Sequence, residues 1–91
     1  MEKSSKFIIK GNICGSRVRL GRAMQEPPLK QEDLAQKLQF LGYTGFTKAI
    51  ISRIEQSSRH VIDAELLALA KALDVSIEWL LKETDNPSRK E

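Results

Sequence analysis

LKQEDLAQKLQFLGYTGFTKAIISRIEQSSR, residues 29–59, holds two apolar stripes with helical spacing on either side of a segment rich in glycine and aromatic residues. In the first part Leu34, Ala35, Leu38 and Leu41 recur at intervals of three and four, which puts them on one face of a helix expected over 31–41. Gly42 then supplies the left-handed residue that commonly closes a helix. In the second part the Thr47 hydroxyl can accept a hydrogen bond from an unpaired first-turn amide. It opens a helix over 48–56 with Ile51 and Ile54 buried and Ile50 beside them.

Outward from this stretch the same periodicity gives three more helices. The first, over 13–25, aligns Cys14, Val18 and Gly21, with Ile13, Leu20 and Met24 beside them, and ends at Pro27-Pro28. The fourth starts at Asp63 as N-cap and continues through Leu66, Leu69, Ala70 and Leu73; the fifth, over 77–82, is capped by Ser76. An apolar residue before each cap pairs with one at the fourth helical position: Leu29 with Leu34, Phe46 with Ile51, Ile62 with Leu67, Val75 with Leu80. Each pair is a hydrophobic staple that sets how the chain enters its helix. Phe7 to Ile9 is a weak strand candidate in an arm of residues 1–12, ahead of a helical domain over 13–83. The polar segment 84–91 has little to bury and is expected to fray. The fold class is all-α with five helices.

Composition limits the function. Ninety-one residues fit one small domain, without a cleft between two lobes. No apolar run approaches the ~18 residues of a membrane span, and Phe7-Ile8-Ile9 is too short for the core of a signal peptide. A single cysteine, Cys14, permits no internal disulfide, so a reducing cytoplasm is expected. The net charge of +3 divides into +2 over residues 1–16, +4 over 17–60 and −3 over 61–91. A basic excess confined to the first two thirds points to an anionic partner, whether nucleic acid or a membrane surface, or to a solvated face. One His and one Cys far apart, without metal-ligand spacing or a phosphate-cradling loop, argue against catalysis and against any metal or other cofactor.

A helix, a connection and a short helix with one polar side have the outline of a helix-turn-helix, whose second helix enters the major groove of DNA. LKQEDLAQKL, TKAIISRIEQSSR and ELLALAKALDVSIEWLL, in this order and at these distances, closely resemble the lambda-repressor-like, Cro/XRE family of bacterial and phage DNA-binding domains. The resemblance covers about residues 13–82. It implies a five-helix domain that reads double-stranded DNA with the third helix.

By that resemblance Lys48, Ala49 and Arg53 face base edges. Arg53 has the sharpest chemistry, because guanidinium pairs bidentately with guanine O6 and N7; Lys48 serves equally as a phosphate contact, and Ala49 touches only a thymine methyl. Thr47, Gln31, Gln56, Ser58 and Arg59 are placed along the phosphates, with an anion favoured at the start of the second helix. Lys30 stands where the family usually has a capping Ser or Thr. It cannot accept the capping hydrogen bond, at a cost of roughly 1 kcal/mol, and is expected to contact a phosphate instead. Arg22 and Glu55 match a pair that joins the first and third helices and orients the latter. Ser57 stands where many relatives have glycine, which leaves that turn open. Arg17 and Arg19 either reach phosphate or are solvated, His60 is a rim residue, Cys14 is core, and Trp79 is core or dimer interface.

The function implied is a sequence-specific transcriptional regulator, a repressor in the first instance, acting as a homodimer on near-palindromic sites in a bacterial or phage-encoded setting. The alternative is a protein-interaction module of the same fold, such as an antitoxin. The connection between the second and third helices is longer than the usual three or four residues. Part of the excess is another turn of the second helix, ending in Leu41, and Gly42 to Phe46 form the turn itself. Leu41 and Phe46 are expected in the core, Phe40 and Tyr43 are unassigned, and Tyr43 and Thr44 are the turn's possible phosphate contacts.

Overall fold

Each apolar stripe lies on a helix. The computed structural model describes residues 11–89, which form α1 (Gly15–Ala23), α2 (Gln31–Phe40), α3 (Lys48–Glu55), α4 (Asp63–Leu73) and α5 (Ile77–Leu80). Among these residues there is no strand, and no helix is long and apolar enough to cross a membrane. The strand candidate at Phe7 to Ile9 lies outside the described residues.

α1 packs against α3, α4 and α5, while α2 packs against α3 and α4. Val18, Leu34, Leu38, Ile51, Ile54, Leu69, Leu73 and Leu80 are fully buried between them. The core therefore draws on all five helices, and burial of these side chains is its main source of stability. Gly21 is small for a reason, since a Cβ there would lie 3.0 Å from Leu73 Cδ1. Trp79 is also buried, which settles it as core. So is Cys14, whose thiol pKa is pushed up by that burial.

The helix ends differ from those the periodicity predicts, and polar side chains explain why. α1 begins at Gly15, two residues later than expected, with Cys14 at its N-cap and the Gly15 N–H donated to Asn12 Oδ1 at 2.8 Å. At its other end Gln25 Nε2 turns back to the Gly21 and Leu73 carbonyls, both at 3.0 Å, and the helix stops at Ala23. Ile13, Leu20 and Met24 are exposed rather than packed. α4 is capped at Ile62, not Asp63, because Glu65 Oε1 reaches back to the Ile62 N–H at 3.1 Å. The staple moves with the cap: Val61 and Leu66 pack on the core, whereas Ile62 and Leu67 are exposed. α5 stops at Leu80 and is closed by Lys82 at φ 65°, with Glu83 N–H on the Glu78 carbonyl.

α2 closes through Leu41, whose N–H bonds the Lys37 carbonyl at 3.0 Å, and Gly42 follows at φ 101°. Leu41 is 45% exposed and so is not core, whereas Phe46 is buried and Tyr43 packs partly against the core. Gln39 Nε2 donates to the Phe46 carbonyl at 2.7 Å and bridges the turn internally.

Residues 84–89, expected to fray, are tied down instead. Arg17 Nη1 donates to the carbonyls of Trp79 at 2.8 Å and Thr84 at 3.0 Å, and Arg17 Nη2 lies 3.4 Å from Asp85 Oδ1. The same guanidinium lies over the Trp79 ring, 4.8 Å from its centroid. Ser76 N–H donates to the Pro87 carbonyl at 2.9 Å. Arg17 is thus a structural residue of the α1–α5 side.

Candidate nucleic-acid interface

α3 begins where Thr47 Oγ1 accepts the Ile50 N–H at 3.2 Å, which satisfies one otherwise unpaired amide of the first turn. With Ile51 and Ile54 turned into the core, helical geometry leaves the other side free. Thr47, Lys48, Ala49, Arg53 and Gln56 are all exposed there. The site at this face is one residue deep, a surface rather than a cleft, and its charge comes from Lys48 and Arg53.

The helix ends in a left-handed turn at Ser57, φ 58°, with Ser57 N–H on the Ile54 carbonyl and Ser58 N–H on the Arg53 carbonyl, both at 3.0 Å. The turn left open by a serine in place of glycine is therefore formed with serine. Ser58 Oγ donates to the Arg53 carbonyl at 3.2 Å, and Gln56 Nε2 donates to Ser52 Oγ at 3.0 Å. Both side chains remain exposed at the rim of the α3 face.

Four sets of contacts hold α3 in place. Arg22 Nε and Nη2 grip Glu55 Oε2 and Oε1 at 2.6 and 2.8 Å, and Arg22 Nη1 donates to the Leu29 carbonyl at 2.9 Å. Gln31 Nε2 donates to Glu55 Oε1 at 3.0 Å, so one carboxylate joins α1, the start of α2 and the end of α3. Asn12 Nδ2 donates to the Ile54 carbonyl at 3.1 Å and the Arg59 carbonyl at 2.8 Å. Finally, Gly15 lies directly against Ile54, whose carbonyl oxygen would collide with a Cβ at that position. Among the described residues no buried side-chain polar atom lacks a partner.

The remaining sites separate into two groups. Lys30 is exposed at the N-cap of α2, where Asp33 Oδ2 accepts its N–H at 2.9 Å and its own side chain caps nothing. Arg19 is exposed and borders a shallow depression with Gln31, Ser52 and Gln56. Arg59, by contrast, is committed within the chain: Nη1 and Nη2 meet the two Glu65 oxygens at 3.0 Å each, and Nη1 also donates to the His60 carbonyl. This hydrogen-bonded pairing raises the pKa of Arg59 and holds the Glu65 carboxylate below its ordinary range. His60 is exposed with Nδ1 3.0 Å from the Gly11 carbonyl oxygen. Phe40 is 89% exposed and Thr44 is exposed on the turn. Among the described residues no group of three or more His, Cys, Asp or Glu side chains is arranged to hold a metal ion.

Asn12, Asp33 and Glu65 position the site and were not singled out from the sequence. Asp33 and Glu65 carry a readable signal, an acid three residues after the cap. The Asn12 Nδ2 bonds to the carbonyls of Ile54 and Arg59 carry none, because those partners are 42 and 47 residues away.

Set against protein-family models, curated proteins and solved structures, the chain matches none.

Proposed function

We propose that the chain is a sequence-specific DNA-binding transcriptional regulator in which α2, the lengthened turn and α3 act as a helix-turn-helix. The observation that carries this reading is the α3 face itself: Lys48, Ala49 and Arg53 stand exposed on a short helix whose opposite side is core and whose orientation is fixed by Glu55. Rigid presentation of a few side chains is what base readout needs, because a bidentate arginine–guanine contact tolerates little misplacement.

In this reading Arg53 pairs with a guanine, Lys48 and Ala49 reach neighbouring bases, and Lys30, Thr47, Gln56 and Ser58 lie along phosphates. Gln31 offers its backbone at the start of α2, since its amide nitrogen is engaged by Glu55. Arg59 supports the entry to α4 through Glu65 and contributes little net charge. The protein acts as a homodimer on a near-palindromic operator, with half-sites about one helical turn apart, in the cytoplasm of a bacterium or on behalf of a phage. Repression by occupancy is the simplest mode of action.

Selection of bound sequences from a random DNA pool, followed by titration at several salt concentrations, tests this reading. A recurring near-palindromic site is expected, with log affinity falling by ~0.9 per neutralised phosphate for each unit of log salt. Recovery of no preferred sequence would overturn it.

A second reading, a protein-interaction module of antitoxin type, draws support from Phe40 and Leu41, an exposed apolar pair beside the turn. A small toxin-like reading frame next to the gene, and a stable complex of its product with this chain through Phe40, would favour it.

A further inference from the structure

We propose, resting on the reading that α3 binds DNA, that the shallow depression between α1, the start of α2 and the end of α3 seats one backbone phosphate, gripped by Arg19 and Ser52. The depression has a volume of about 270 Å³ and is lined by Arg19, Arg22, Gln31, Ser52, Glu55 and Gln56. At ~30 Å³ for each water, that is room for a phosphodiester group with part of its hydration.

The charge of the depression follows from which groups are already paired. An open Glu55 carboxylate would repel an anion, but Arg22 covers its two oxygens at 2.6 and 2.8 Å, and Gln31 Nε2 adds a third hydrogen bond at 3.0 Å. Arg22 and Glu55 therefore cancel, and Arg19 remains as the net charge. Arg19 is exposed, and among the described residues no carboxylate lies within ion-pair distance of it. A guanidinium in that position attracts an anion, and its planar fork matches two phosphate oxygens. Ser52 supplies the neutral donor: its Oγ accepts from Gln56 Nε2 at 3.0 Å, which leaves the hydroxyl proton for an outside acceptor. Arg19 and Ser52 stand on α1 and α3, the two helices that Arg22 and Glu55 join, so the seat is built before a duplex arrives. A phosphate held there fixes the register in which α3 meets the bases.

The test uses the full chain and a duplex selected by it, with one phosphate at a time replaced by a neutral methylphosphonate. In the parent, neutralising the seated phosphate weakens binding. In Arg19→Gln and in Ser52→Ala the penalty at that same position should shrink while those at the other positions stay, a pattern that partial unfolding does not produce. Arg19→Gln should also reduce the slope of log affinity against log salt by ~0.9, so that the parent's advantage narrows about 3.5-fold between ~0.05 and ~0.2 M salt, and Arg19→Lys should restore most of it. Retained sequence preference with no position that responds to both substitutions overturns the seat and leaves the DNA reading standing. Failure of the chain to retain any duplex overturns both. Titration with inorganic phosphate at constant ionic strength separates a free anion from the DNA backbone. An Arg19 Nε resonance that shifts with inorganic phosphate but not with duplex would overturn the proposal by assigning the depression to the free ion.

Discussion

Arg22 and Glu55 meet side by side, guanidinium on carboxylate at 2.6 and 2.8 Å, with the Glu55 side chain only 5% exposed. Removing one partner from such a pair strands a buried charge. Arg22→Ala is expected to cost about 3 kcal/mol in urea denaturation. The double replacement Arg22→Met with Glu55→Leu should recover much of that stability, because apolar substitutes avoid the desolvation cost. If α3 reads DNA, the double variant will fold yet bind its site poorly, because Gln31 loses its partner and α3 its brace.

Arg53 tests readout separately from folding. Arg53→Ala is expected to leave stability within about 0.5 kcal/mol, as for an exposed substitution. In competition binding it should cost ~1–3 kcal/mol at one base-pair position and relax preference there. A uniform loss across sequences would make Arg53 a phosphate contact.

Lys30→Ser has two readouts. Serine offers the side-chain acceptor that lysine lacks at the α2 N-cap, so stability should rise by about 1 kcal/mol. The slope of log affinity against log salt should shrink by ~0.9 as one phosphate contact is lost. An unchanged slope would remove Lys30 from the DNA-facing set.

Ser57→Gly should stabilise the chain by about 0.5–1 kcal/mol. Serine at φ 58° bears a left-handed penalty that glycine does not, partly offset by the greater freedom glycine has when unfolded. A fall in thermal midpoint would mean that the serine side chain does more than its geometry implies.

Glu65 makes acid stability measurable. The hydrogen bond from Arg59 is the main influence lowering its pKa; partial burial opposes it and the Ile62 N–H adds to it. A carboxylate with a lower pKa folded than unfolded contributes stability that is present above the unfolded pKa and lost as pH falls through the folded one. Glu65→Gln should therefore be ~0.5–1 kcal/mol less stable than the parent at neutral pH. That gap should close in urea titrations taken below the ordinary carboxylate range.

The five helices were legible because each carries a stripe such as Leu34, Ala35 and Leu38, and burial follows such stripes directly. Thr47 and Ser76 were legible as caps for the same local reason. What was hidden depends on residues distant in the chain. Periodicity says nothing of Asn12 bonding Ile54 and Arg59, or of Arg17 holding Thr84. The displaced staple at α4 arose because an isoleucine stands at the cap and Glu65, two residues beyond Asp63, does the capping. At the candidate interface the exposed positions of α3 followed from Ile51 and Ile54, but the pairing of Arg59 with Glu65 did not, since a charge in sequence does not show which neighbour neutralises it.

The turn between α2 and α3 anchors inward and is empty outward: Phe46 is buried, Gln39 closes the loop from within, and a Cβ at Gly45 would meet nothing within 4 Å. Gly45 is thus a natural attachment point for an optical reporter. A cysteine introduced there is the accessible thiol, with Cys14 shielded in the core, so a single dye can be mounted a few residues from Lys48. Its emission would register an approaching partner at that end of α3 while the contacts that brace the helix are left alone.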